Sequence, residues 1–128
     1  MAYPDDVRYT QEHEWARQEG DLLVIGITNY ATDQLGDVVF VELPEVGRAL
    51  TTGKTFGVVE AVKTVSDLFA PVAGDVAEVN AALGDNPALV NQEPYGDGWM
   101  IKIRPSDPNA FAKLLSATDY EKIVEESH

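Results

Sequence analysis

The 128-residue sequence contains no cysteine. Disulfides, thiolate nucleophiles and cysteine-ligated metals are therefore all excluded. Histidine is scarce too: only His13 and His128 occur, and HEW at 13–15 is not the HExxH of a metalloprotease. No second histidine stands one helical turn from His13, and Ser66, Ser106, Ser116 and Ser127 have no GxSxG setting. Metal-hydrolase and serine-hydrolase readings thus find no support. No apolar run approaches the roughly 20 residues of a membrane-spanning helix. Cations are few, with nine Lys and Arg against 22 Asp and Glu, and the formal net charge is −13. Such a field repels nucleic-acid phosphates and anionic headgroups and favours partners with basic docking surfaces. An acidic surface also serves solubility alone, so charge by itself names no partner. The N-terminal MAYPDDVRYT lacks the basic and apolar regions of a signal peptide and the Arg/Ser richness of a transit peptide. The expectation is a cytoplasmic protein of bacterial type, or a mitochondrial one if the chain is a processed eukaryotic form.

Phosphate-cradling loops are missing as well. TTGKT at 51–55 looks briefly like part of a Walker loop, but the first glycine of GxxxxGK would fall on Arg48, and the segment runs into a strand. It reads as a hairpin.

What is present is a series of short strands. Val7–Thr10, Glu14–Gln18, LLVIGI at 22–27 and DVVFVEL at 37–43 are followed by runs near 54–62, 65–69, 74–80 and 99–103, with Gly, Pro, Asn or Asp at nearly every break. Short strands at this spacing favour a sandwich or barrel over a parallel sheet with crossover helices. NYATDQLG at 29–36 reads as a short helix capped by Thr28 or Asn29 and stopped by Gly36. The C-terminus changes character: Asp107-Pro108 offers a helix start, Thr118 and Glu121 a capping box, and Tyr120, Ile123 and Val124 one apolar stripe. A single domain is expected over residues 1–128, with a β core at about 7–104 and a helical extension at about 107–126 packed on its outside. GDVVFV at 36–41 recurs as GDVAEV at 74–79, which suggests two similar β units related by a pseudo-twofold axis. The loop joining them would hold Lys63.

Lys63 is the unusual cation. In GVVEAVKTVSDLFAPVAGDV, residues 57–76, it stands among Val58, Val59, Val62 and Val65, between two strand-like arms. A lysine at a hairpin tip can serve solubility. It can also serve as an attachment point, because a modifying enzyme needs a target that is exposed yet held in fixed geometry. An ordinary lysine ammonium is a poor nucleophile at neutral pH, and nothing adjacent in the sequence activates it. Schiff-base catalysis is therefore disfavoured.

VEAVKTVSDLFAPVAGDVAEVN resembles the lipoyl-attachment segment of the glycine cleavage system H protein family. Glu60, three residues before the lysine, Gly74, eleven after it, and the APVAG turn all fit the pattern of lipoyl-accepting hairpins. The resemblance extends over nearly the whole chain, through YTQEHEW at 9–15, IGITNYATDQLGDVVFVELPEVG at 25–47, DNPALVN at 85–91 and PYGDGWMIKI at 94–103. Biotin carrier domains share the hairpin design, but they typically flank the lysine with methionines, where this chain has Val62-Lys63-Thr64. Ala16 departs from the family, which often has a larger β-branched residue there.

The resemblance implies a mainly β fold of the lipoyl/biotinyl-carrier type, a barrel-sandwich hybrid of two small antiparallel sheets. It implies lipoate as a covalent cofactor on Lys63, with Glu60 and Gly74 read by the lipoate-attaching enzyme. The implied role is that of a monomeric shuttle and not an enzyme. The glycine decarboxylase, or P protein, loads the arm with an aminomethyl group, and the T protein, an aminomethyltransferase, unloads it. The L protein, a dihydrolipoyl dehydrogenase, reoxidises the dithiol. Some family members serve instead as lipoyl relays for other proteins, through the same lysine. The resemblance finally implies a surface cleft for the loaded arm, with Glu14 and Asp67 at positions associated with the aminomethyl group and Glu12 and Gln34 nearby.

Overall fold

The structure, a computed structural model, describes residues 3–126; His128 and Ser127, set aside above, lie outside them. Among the described residues nine strands form two antiparallel sheets. The first three strands, β1 (Arg8–Tyr9), β2 (Glu14–Glu19) and β3 (Leu22–Ile27), form a meander. They continue into β9 (Ile101–Pro105), β8 (Gly74–Val79) and β5 (Ala49–Leu50), giving a six-stranded sheet in the order β1-β2-β3-β9-β8-β5. The second sheet has three strands, β4 (Val38–Glu42), β6 (Thr55–Ala61) and β7 (Val65–Phe69), in the order β4-β6-β7. The mainly β sandwich is as expected, although the two sheets are unequal.

Side chains that alternate inward along these strands fill the space between the sheets. Leu23, Ile25, Phe56, Val59, Leu68, Val76, Ile101 and Ile103 are all at most 2 % exposed. A second cluster lies under the C-terminal helix, α4 (Ala117–Glu126). There Tyr120 stacks on Tyr9 with ring centroids 4.6 Å apart, and the stripe reaches the core through Val124.

Several local expectations are corrected. Helix α4 is capped two residues before Thr118, where Ser116 Oγ accepts the Asp119 amide at 3.2 Å. The reason is tertiary: Leu115 still pairs with Tyr9 as an isolated bridge, so the helix begins as soon as that pairing ends. Asp107 does not start an α-helix; its carboxylate accepts the Asn109 amide, and a 3-10 turn follows at Phe111–Lys113. TTGKT is a turn but not a hairpin. It carries the chain from β5, paired with β8, to β6, paired with β4 and β7.

The repeated GDV segments do fall one in each sheet, on β4 and β8. The Lys63 turn, however, lies within the three-stranded sheet, and the chain crosses to the other sheet through residues 70–73. Helix α1 (Asn29–Leu35) matches its expected span, with Thr28 Oγ1 accepting the Ala31 amide. Two single-turn helices, α2 (Ala82–Asp85) and α3 (Leu89–Gln92), were not legible as elements.

Candidate functional site

The β6–β7 hairpin presents Lys63. The Ala61 amide donates to the Thr64 carbonyl at 2.8 Å and closes a turn whose central residues are Val62 and Lys63. The Val62 amide donates to the Asp37 carbonyl at 3.0 Å, which ties the turn to the chain leading into β4. Backbone hydrogen bonds thus hold the tip, while Lys63 itself is exposed. Around it the surface is unusually apolar, with Val62 73 % and Phe40 51 % exposed. Glu60 stands opposite Phe40 on one side and Val65 on the other, half-buried in the same cross-strand row.

A cleft of about 290 Å³ opens between α1 and β7. Its polar wall includes Glu12, His13, Gln34, Ser66 and Asp67, and its apolar wall includes Ile27, Leu35, Val59 and Leu68. The structure therefore brings Glu12, Gln34 and Asp67 together. Glu14 is not among the lining residues. It starts β2 with its side chain turned inward and is only 2 % exposed. Thr10 donates its hydroxyl to Glu14 Oε1 at 3.1 Å, and the Phe69 amide donates to Oε2 at 3.0 Å. Glu14 thereby anchors β7 two residues beyond Asp67. Burial pushes its carboxyl up to about 8, with the Phe69 amide and the Thr10 hydroxyl opposing the rise and the Glu12 charge adding to it.

His13, rejected above as a metal ligand or base, lies in the cleft wall. Its backbone has φ +69°, a left-handed conformation uncommon outside glycine, which turns the chain sharply from β1 into β2. Its Nδ1 is 2.8 Å from the Tyr120 hydroxyl, which is also 2.8 Å from Thr28 Oγ1. Burial lowers the imidazole pKa, against an opposing contribution from Glu12. Nothing in the sequence around HEW marks His13 as a cleft residue, because only the docking of α4 brings Tyr120 to it.

Gly74 is buried at the start of β8. A β-carbon there would stand 2.2 Å from the Arg104 carbonyl oxygen and 2.8 Å from Ile103 Cγ2. Close packing of β8 on β9 accounts for the glycine without any ligand. Among the described residues no group of His, Asp and Glu could hold a metal ion, and no helix is long and apolar enough to cross a membrane.

A two-sheet β sandwich with a tight hairpin that lifts one exposed lysine beside a cleft defines a carrier domain of the lipoyl/biotinyl type. The family model for the Glycine cleavage H-protein matches residues 7–127. The glycine cleavage system H protein of Bacteroides thetaiotaomicron is 54% identical over 124 residues, 97% of this chain and 98% of the relative. That of a Thermus thermophilus strain is 54% identical over 125 residues, 98% of each chain. A crystal structure of a glycine cleavage system H protein from Mycobacterium marinum superposes with a TM-score of 0.88 at 43% identity, covering 96% of this chain and 99% of that one. The chain belongs to the glycine cleavage H-protein family.

Proposed function

We propose that this chain is the lipoyl-bearing shuttle of the glycine cleavage system, a covalent substrate of partner enzymes and not itself a catalyst. The observation that carries the reading is Lys63: exposed, on a tip fixed by two backbone hydrogen bonds, in a chain that has no thiol of its own. Lipoate, joined as an amide to Lys63, supplies when bound the dithiolane that accepts and gives up the aminomethyl group. The cleft beside the hairpin fits such an arm. Its apolar wall suits an aliphatic chain, and Glu12 and Asp67 offer acceptors to an ammonium at the arm's end, which an unpaired buried charge would require. Excluding water there suppresses hydrolysis of the cargo. Glu14 contributes from behind the wall, by fixing the strand that carries Asp67.

The P, T and L proteins are the enzymes that load, unload and reoxidise the arm, and a lipoate-attaching enzyme installs it. Glu60 faces that enzyme from the row beside the turn, whereas Gly74 contributes by letting β8 close onto β9. The cytoplasm of a bacterial cell is the proposed setting.

Intact mass of the protein purified from its native host tests the assignment. A lipoyl amide adds a defined increment and removes one positive charge, taking the formal net charge from −13 to −14. Lys63→Arg retains the charge but cannot form the amide. It should melt as the parent does, within ~0.5 kcal/mol for an exposed position, and carry no increment. Lipoylation of that variant at another lysine, with shuttling preserved, overturns the reading.

A further inference from the structure

DNPALVN ends in Asn91, on α3, whose side chain reaches out of its own helix to the chain between α1 and β4. Its Nδ2 donates to the Gly36 carbonyl at 2.8 Å, and its Oδ1 accepts the Val38 amide at 2.9 Å. Both bonds land on backbone, so the amide clamps residues 36–38 as a neighbouring strand would. The clamped segment meets the hairpin twice. The Asp37 carbonyl accepts the Val62 amide, and the stem of Lys63 lies over Gly36. A β-carbon built on Gly36 would come within 2.7 Å of Lys63 Cε and 3.6 Å of its Nζ. Gly36 also has φ +79°, so the position is glycine both for its backbone and for the space above it. Gln34 and Leu35, which line the cleft, come immediately before it.

We propose that Asn91 and Gly36 form a saddle that lays the Lys63 stem along the end of α1 and so aims the attached arm at the cleft. Both are positioning residues. A lysine free to sample its rotamers would spread a long arm over many directions, at an entropic cost to docking. Fixing the first bonds of the stem raises the effective concentration of the arm's end at the cleft. This role rests on the reading of Lys63 as the attachment point and of the cleft as the arm's resting place.

Two variants test it. Asn91→Asp keeps the acceptor for Val38 but removes the donor to Gly36, and Gly36→Ala fills the seat of the stem. In the unmodified full chain, NMR should show contacts from the Lys63 ε-methylene to residue 36, and either variant that retains its melting transition should lose them. In the lipoylated chain, the amides of Ser66, Asp67 and Leu68 should shift on lipoylation, and the variants should reduce that response by roughly fivefold or more. Absence of the contact in the parent, or variants that keep the full cleft response, overturns the saddle while the carrier reading stands. A parent that carries lipoate on Lys63 but shows no cleft response removes the resting place, and the aiming role with it. Lipoate found at another lysine removes the carrier reading itself.

Discussion

Replacing Glu14 with glutamine should abolish a pH dependence of stability that the parent carries. Glu14 is buried, and its carboxyl is pushed from an ordinary 4.5 up to about 8, chiefly by loss of hydration. Between those two values the folded chain holds a proton that the unfolded chain has released. Unfolding then releases a proton, and stability falls as pH rises. The stabilisation is fully present below about 4.5 and is lost as pH climbs through about 8. One proton of difference corresponds to about 1.4 kcal/mol per pH unit, so roughly 3 kcal/mol should disappear across two units inside the window. Domains of this size are stable by about 5–15 kcal/mol, so the loss is large enough to measure. Glutamine matches the neutral acid in shape, with one oxygen for the Phe69 amide and a polar partner for Thr10. Urea denaturation from pH 5.5 to 7.5 would follow the parent and Glu14→Gln in parallel. His13, lowered by burial, contributes to both curves with the opposite sign and cancels in the difference. A difference between parent and variant that is flat with pH would refute the reasoning, because it would mean that the folded carboxylate stays ionised on its two donors. If the slope is found, the cleft's negative charge at neutral pH comes from Glu12 and Asp67, with Glu14 a neutral brace behind them.

Gly26→Ala should destabilise the fold by about 1–3 kcal/mol, as overpacking does. The new methyl would sit 2.6 Å from the Trp15 ring, which cannot yield, being wholly buried and bonded through Nε1 to the Ile27 and Pro94 carbonyls; a urea midpoint equal to the parent's would contradict this. An alanine inserted directly after Ser66, between Val65 and Asp67, should block lipoylation more than it unfolds the domain. Buried Leu68 holds the lower register of β7, so the extra residue is forced into the Ala61–Thr64 turn and displaces Lys63. Efficient lipoylation of that variant, read by intact mass, would show that exposure alone suffices.

Local signals in the chain were enough to place most of the strands, though not β5, and helix α1; they singled out Lys63 without deciding its role, which only the resemblance implied. They are period-2 hydrophobicity bounded by turn residues, Thr28 and Gly36 at the ends of one helix, and a lone cation between two valine-rich arms. They did not settle the start of α4, which depends on a bridge between Tyr9 and Leu115, 106 residues apart along the chain. Nor did they mark TTGKT as a passage between sheets, because turn chemistry is the same whichever partners the flanking strands take. The cleft divided along the same line. Resemblance grouped Glu12, Glu14, Gln34 and Asp67, but only the folded chain separated wall from brace, since one carboxylate's orientation at the start of β2 decides which it is. His13 and Asn91 were invisible as site residues for the same reason. Each acts through a partner distant in sequence, Tyr120 for one and Gly36 for the other, and such pairings exist only once α4 and α3 have docked on the β core.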